Sequence, residues 1–335
     1  MRRLLATALL ALPLAVHAWG SDGHQTVAAI AEGLIQGSPA EARVAALLGD
    51  MPLQQAAIWA DCAKGISPSQ GYTYPNPGKY PSCAQLETPE RIAEMADYVR
   101  RNDHQCELGL DEDACHKQAH YADIALQRSR YQPGAVGTRP DDVVGALRAA
   151  IRVLQGKPSV GQPDFKSQRE ALIILVHLVG DIHQPLHVGS LYLDARGRPI
   201  DPDKQGFDRA SFTVGGNSLL LAPSATPGPK NFHSLWDNVS EALRPRHVDA
   251  AWLAEARQVP RDAGDVLDWP ARWGSESVVL AATAHEGLHF NPKQGETWQI
   301  SLPEGYEARA DAIKRQQLTR AGARMAYVLK LAFPN

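Results

Sequence analysis

Apolar residues recur at helical spacing through most of this chain and alternate in strand fashion almost nowhere. Val27–Leu34 and Ala40–Leu48 both show the pattern, and Ser38-Pro39 opens the second, proline being well suited to the first helical turn. The same spacing predicts helices over 90–101, 117–128, Asp141–Leu154, Lys166–Asp181, 234–243, 248–257, 275–287 and 305–331. Ala171–Val179 is apolar nearly all round, the mark of a helix buried on every side. Residues 64–82 mix glycine, proline and tyrosine and read as a long loop. Residues 188–230 also break the pattern, and Phe212-Thr-Val-Gly-Gly-Asn-Ser-Leu-Leu-Leu within them reads as a short β-hairpin turning at Gly215-Gly216-Asn217. No repeat or linker divides the chain. The expected fold is mainly α: a single-domain multi-helix bundle with one small hairpin.

The first residues set the compartment. Arg2 and Arg3 precede an apolar run from Leu4 to Val16, and Val16-His17-Ala18 matches a small-x-small cleavage site. The run is short for a bilayer span and polar sequence follows it, which favours a signal peptide (residues 1–18) over a membrane anchor. Cleavage would leave residues 19–335 as one secreted or periplasmic domain beginning at Trp19. In an oxidising compartment the four cysteines, Cys62, Cys83, Cys106 and Cys115, suggest two disulfides. Of the three connectivities we favour Cys62–Cys83 with Cys106–Cys115, because each would pin a polar loop. His104 and His116, in the latter region, read as surface residues.

Charge argues against gripping duplex by its phosphates. The chain has 34 Lys+Arg against 37 Asp+Glu, a net charge of −3, and loss of Arg2 and Arg3 takes it to −5. Proteins that hold duplex through its backbone usually present a basic surface.

The densest chemistry lies in His177-Leu-Val-Gly-Asp181-Ile-His183-Gln-Pro185-Leu-His187. His177 and Asp181 are four apart, so a helix puts them on one face about a turn apart. Pro185 should stop that helix, and His187 returns from beyond it. His233 and Asp237 repeat the spacing. A His/Asp pair at this spacing is often a solvent-facing ion pair, but Asp181 sits in an apolar helix, and a buried carboxylate needs a cation or strong hydrogen bonds. Imidazole nitrogen with carboxylate oxygen is a ligand set for zinc and related metals. Singly weaker candidates are His24, Asp61 after Trp59-Ala60, and His120 with Tyr121 and Asp123.

Taken together, Trp19 and His24 behind a cleaved signal, Trp-Ala-Asp61, His120-Tyr-Ala-Asp123, His177-x3-Asp181-x5-His187, Gly-Gly-Asn217 and Asn-Phe-His233-x3-Asp237 resemble the zinc-dependent single-strand-specific nucleases. These are the fungal and plant type I nucleases and their bacterial relatives, whose α-helical fold is shared with zinc phospholipase C. The likeness covers residues 19 to about 240 by motif and the remainder by helical character. It implies three zinc ions. Asp61, His120, His177 and Asp181 would hold one. The terminal amine and carbonyl of Trp19 with His24 would hold a second that shares Asp181, and His187, His233 and Asp237 a third. An uncleaved chain has an amide where that amine should be.

The resemblance also implies an activity. Hydroxide generated at the close zinc pair and oriented by Asp61 would hydrolyse phosphodiesters of single-stranded DNA and RNA. The third zinc would stabilise the leaving 3′ oxygen, giving 5′-phosphate products, with 3′-nucleotidase activity as a companion reaction. Lys64 fits the family's phosphate-contacting base and Asn217 its amide donor. Tyr121 would stack on an unpaired base and Asp123 accept from its edge. Single-stranded nucleic acid and nucleotides are thus the expected partners of a monomer. Trp59 and Trp236 read as packing residues in the walls of the site, and His183 takes no metal.

Three readings compete. Zinc phospholipase C would use similar ligands on a similar fold. His285-Glu286-Gly287-Leu288-His289 matches the H-E-x-x-H zinc-protease helix, with Glu304 and Glu307 downstream, but Gly287 and Pro292 work against that helix. A zinc-scavenging protein would bind metal without turnover.

Overall fold

The computed structural model describes residues 19–103, 114–223, 228 and 230–334. The helical expectation holds. α1 (Ser21–Ile35), α2 (Pro39–Leu48), α3 (Leu53–Ala63) and α4 (Pro89–Arg101) form the first half of the bundle. A single turn, α5 (Cys115–Gln118), precedes α6 (Val143–Leu154) and α7 (Gln168–His183). The second half holds two short helices, α8 (Pro202–Gln205) and α9 (Phe232–Asp237), then α10 (Ala250–Arg257), α11 (Trp269–His285) and the 27-residue α12 (Tyr306–Ala332).

The bundle forms around α7. Ser167 caps it by accepting from Glu170 N–H, and every residue from Glu170 to His183 is buried. Pro185, lacking an N–H, turns the chain into a single 3-10 turn, Pro185–His187. α3, α6 and α12 pack on α7, while α1 packs on α3 and α12. A second apolar cluster, built on Leu186, Phe232, Trp236, Trp298 and Tyr306, supports α9. Among the described residues no helix is long and apolar enough to cross a membrane.

Several local expectations are corrected. The segment from Phe212 is no hairpin: Val214–Gly216 is a 3-10 turn, Phe212 bridges Tyr192, and Leu219–Leu221 pairs in parallel with Trp298–Ser301. The hairpin lies elsewhere, where His289–Phe290 runs antiparallel to Trp298–Ser301. The helix expected over 117–128 ends at Gln118. Ala122 and Ile124 donate instead to the carbonyls of His187 and Val188, so tertiary hydrogen bonds override local spacing. The helix expected over 234–243 stops at Asp237 and resumes only as a 3-10 turn, Glu241–Leu243. Cys62 and Cys83 are disulfide-bonded as expected. Cys106, the expected partner of Cys115, and His104 lie outside the described residues, and His116 is buried rather than on the surface.

Candidate metal centre

Eight of the expected side chains converge from six segments. α1 supplies His24, α3 supplies Asp61, the turn after α5 supplies His120, and α7 supplies His177 and Asp181. His187 comes from the turn after Pro185, and α9 supplies His233 and Asp237. They form three groups with ligand-type atoms within 4.8 Å of one another: His24, His177 and Asp181; Asp61, His120 and His177; His187, His233 and Asp237.

Asp181 is the hub. Its Oδ2 lies 3.0 Å from His120 Nδ1 and 3.2 Å from His177 Nε2, and its Oδ1 lies 3.3 Å from His24 Nε2. Asp61 Oδ1 stands 3.6 Å from His177 Nε2. Gly180 makes this density possible, since a Cβ there would fall 2.6 Å from His24 Nδ1. The His24 ring instead stacks on His177 at 3.9 Å.

Backbone carbonyls set the tautomers. His177 Nδ1–H donates to Ala57 at 2.7 Å, His187 Nδ1–H to His120 at 2.9 Å, and His233 Nδ1–H to Gly215 at 2.8 Å. In His187 and His233, which burial holds neutral, the bond leaves Nε2 as a bare lone pair facing the group's interior. His187 Nε2 and His233 Nε2 then face each other across 3.2 Å, acceptor against acceptor, with Asp237 Oδ2 3.4 Å from His233 Nε2. That contact is repulsive unless a cation joins the two. Two nitrogens on one tetrahedral zinc sit about 3.3 Å apart. Both ring nitrogens of His24 and Oδ1 of Asp181 are buried without a hydrogen bond, the same signature at the other end of the cluster. The donor set fits zinc.

The electrostatics agree. Burial, reinforced by His177, pushes His24 down to about 4; burial with Lys64 takes His120 to about 3, and burial with His187 takes His233 to about 3. These rings are held neutral, the form that ligates. Burial also opposes charge on His177, but the Asp181 and Asp61 carboxylates outweigh it and raise its pKa. Asp237 is pushed well above the carboxylate range by burial, then by the charges of Asp61 and Asp181. Three crowded carboxylates demand more positive charge than the neighbouring Lys64 provides.

The remaining expected residues border these groups. Lys64 Nζ pairs with Asp61 Oδ1 at 2.8 Å. Asn217 follows the Val214–Gly216 turn whose Gly215 carbonyl holds His233, and its Nδ2 donates to the Val214 carbonyl at 2.9 Å. Tyr121 is half-buried, and the Arg139 guanidinium lies 5.5 Å from its ring centre. Asp123 is buried, its backbone bridging Gly137 and the Tyr192 hydroxyl. Trp19 is fully buried, and the next residue, Gly20, donates from its N–H to the Asp237 carbonyl at 2.8 Å. Trp59 and Trp236 are buried, as wall residues should be. His183 stays out of the cluster: Nδ1 meets the Val179 carbonyl and Nε2 meets Arg324.

Sequence reasoning missed Gln184, although it lies inside the densest motif. Its side chain is fully buried and donates to Asp237 Oδ1 at 2.7 Å. A polar residue between a helix end and a proline was the available signal. The protease motif dissolves: α11 ends at His285, Gly287 has φ +77°, and His289 is exposed on a strand, so the two histidines share no helix face.

The chain is also similar to known proteins. The chain is 24% identical to Endonuclease 1 of Arabidopsis thaliana over 99% of its own length and 92% of that protein. Endonuclease 5 of the same plant is 23% identical over 99% and 97% respectively. Nuclease S1 of Aspergillus oryzae (strain ATCC 42149 / RIB 40) is 28% identical over 62% of this chain and 56% of its own. The S1/P1 Nuclease family profile matches residues 19–334, the whole bundle with all three His/Asp groups, and the chain therefore belongs to the S1/P1 nuclease family.

Proposed function

We propose that this protein is an exported zinc-dependent endonuclease that cleaves single-stranded DNA and RNA to 5′-phosphate products, with 3′-nucleotidase activity at the same centre. The observation that carries the metal part is the bare Nε2 pair of His187 and His233 beside Asp237. Three zinc ions are the expected complement: one held by Asp61, His120, His177 and Asp181, one by Asp181, His24 and the processed terminus of Trp19, one by His187, His233 and Asp237. Bound zinc supplies a lowered pKa for water and neutralises charge on a phosphodiester.

The protein's own groups do the positioning. Asp61 accepts a hydrogen bond from the attacking water and directs it in line with the scissile bond. Lys64, now paired with Asp61, is placed to meet a non-bridging phosphate oxygen. Asn217 offers an amide donor to another. Tyr121, backed by Arg139, stacks on a base, and Asp123 accepts from the base edge. A base inside a duplex has no free face for Tyr121, so single strands are preferred without sequence reading. The disulfide, with the signal-like pattern read in the first 18 residues of the sequence, supports export.

The test is to incubate the processed protein with single-stranded and duplex DNA, with and without a zinc chelator, and to identify the new ends. Chelator-sensitive cleavage of the single strand to 5′-phosphate and 3′-hydroxyl ends is expected. Equal cleavage of duplex would remove the stacking argument. Intact DNA alongside hydrolysed phosphatidylcholine would replace the nuclease reading with a phospholipase one.

A further inference from the structure

Lys314 of α12 is buried, with 4% exposure, deep beneath α9. Its Nζ donates to the Leu235 carbonyl at 2.8 Å and the Asn238 carbonyl at 2.7 Å. It also lies 3.8 Å from Asp311 and 5.9 Å from the Trp236 ring centre. Burying an ammonium is costly unless its donors are satisfied, so such a lysine calls for a role.

The carbonyls it holds belong to the far end of the six-residue helix that carries His233 and Asp237. The last carbonyls of a helix lack internal partners, and a helix this short has little rigidity of its own. Its start is held by the capping box of Asn231 and Ser234. Its end has Lys314, whose charge also complements the helix dipole, and a second residue of α12, Tyr306, receives the Trp236 indole N–H at 2.9 Å. Asp237 sits between the two residues whose carbonyls Lys314 holds.

We infer that Lys314 is a positioning residue for the metal site of His187, His233 and Asp237, fixing the end of α9 so that its two ligands keep the separation one ion requires. This rests on the reading of that trio as a metal site. A merely structural clamp would lower stability and leave metal affinity alone.

The experiment equilibrates the processed protein with buffers of graded free zinc and counts bound zinc by elemental mass spectrometry, alongside thermal unfolding. Asp237→Ala marks the step belonging to the third site. Lys314→Met is expected to shift that same step roughly 10- to 100-fold toward higher free zinc, the usual cost of losing an outer partner, and to leave the other steps in place. Lys314→Arg, which keeps charge and donors, should recover the affinity. Wild-type zinc binding in Lys314→Met with a lowered Tm overturns the proposal. Should Lys314→Met not fold, Lys314→Gln is expected to show the same shift in weaker form, and wild-type binding there overturns it equally. If Asp237→Ala itself loses no zinc, the trio is no metal site and the metal reading falls first, taking the positioning role with it.

Discussion

Gln184 ties Asp237 to the end of α7: its side-chain N–H donates to Asp237 Oδ1 at 2.7 Å while its side-chain oxygen accepts from Leu186 N–H at 2.6 Å. One fully buried amide thus links the helix that carries His177 and Asp181 to Asp237 on α9. Its orientation follows from Leu186, which can only donate.

Gln184→Leu keeps the volume and removes the donor. Asp237 Oδ1 and the Leu186 N–H would both be left buried without a partner, a loss of about 1–3 kcal/mol for each in the metal-free protein. Urea unfolding in excess chelator measures it. A change below about 0.5 kcal/mol, ordinary for an exposed substitution, would mean the amide is not holding the carboxylate.

Asp181→Ala should cost two metals, not one. His24, His120 and His177 all lie within 3.3 Å of its two oxygens, on both sides of the carboxylate. Zinc content falling from three ions to one is the expected result. Retention of two would show that Asp181 serves a single ion.

A variant processed to carry one extra residue before Trp19 should lose one zinc and most of its activity. Gly20 is hydrogen-bonded to Asp237, which brings the start of the described chain to the metal groups, and an acylated nitrogen has no lone pair to offer. N-terminal sequencing with zinc counting decides it. Normal zinc content and turnover would remove the amine from the ligand set.

Acid should destabilise the bundle through His285. Burial outweighs its hydrogen bond to the Ala281 carbonyl and lowers its pKa from 6.5 to about 4. Between those values the unfolded chain takes a proton that the folded chain refuses. Stability from the neutral ring is therefore complete above pH 6.5 and lost as pH falls toward 4, about 3 kcal/mol in all. The clustered histidines and aspartates titrate in acid too, so the measurement is the difference in unfolding free energy between wild type and His285→Phe across pH 7 to 4, both in chelator. Parallel profiles would contradict the burial argument.

Local spacing carried far. His177 with Asp181 and His233 with Asp237 sit one helical turn apart as their i,i+4 separation requires, and Pro185 stops α7 as its missing N–H dictates. Side-chain period is a property of the backbone, so it can be read without knowing the neighbours. The failures share one cause. Leu219–Leu221 looked like half of a hairpin because its partner, Trp298–Ser301, lies far along the chain. The helix expected after 117 gave way because residues near His187 and Val188 offered its backbone better partners.

By itself the sequence determined the helical class, the two His/Asp pairs within α7 and α9 and, through its resemblance, which residues to watch, and it left Cys62–Cys83 as the favoured choice among three cysteine pairings. It could not determine that His187 and His233 turn bare nitrogens toward each other, that Gln184 and Lys314 serve α9, or that Asp181 meets three imidazoles. Those relations depend on carbonyls and side chains supplied by other segments, whose distances exist only once the bundle has packed. Periodicity reports what each residue does to its own helix; a metal centre is made of what separate helices do to one another.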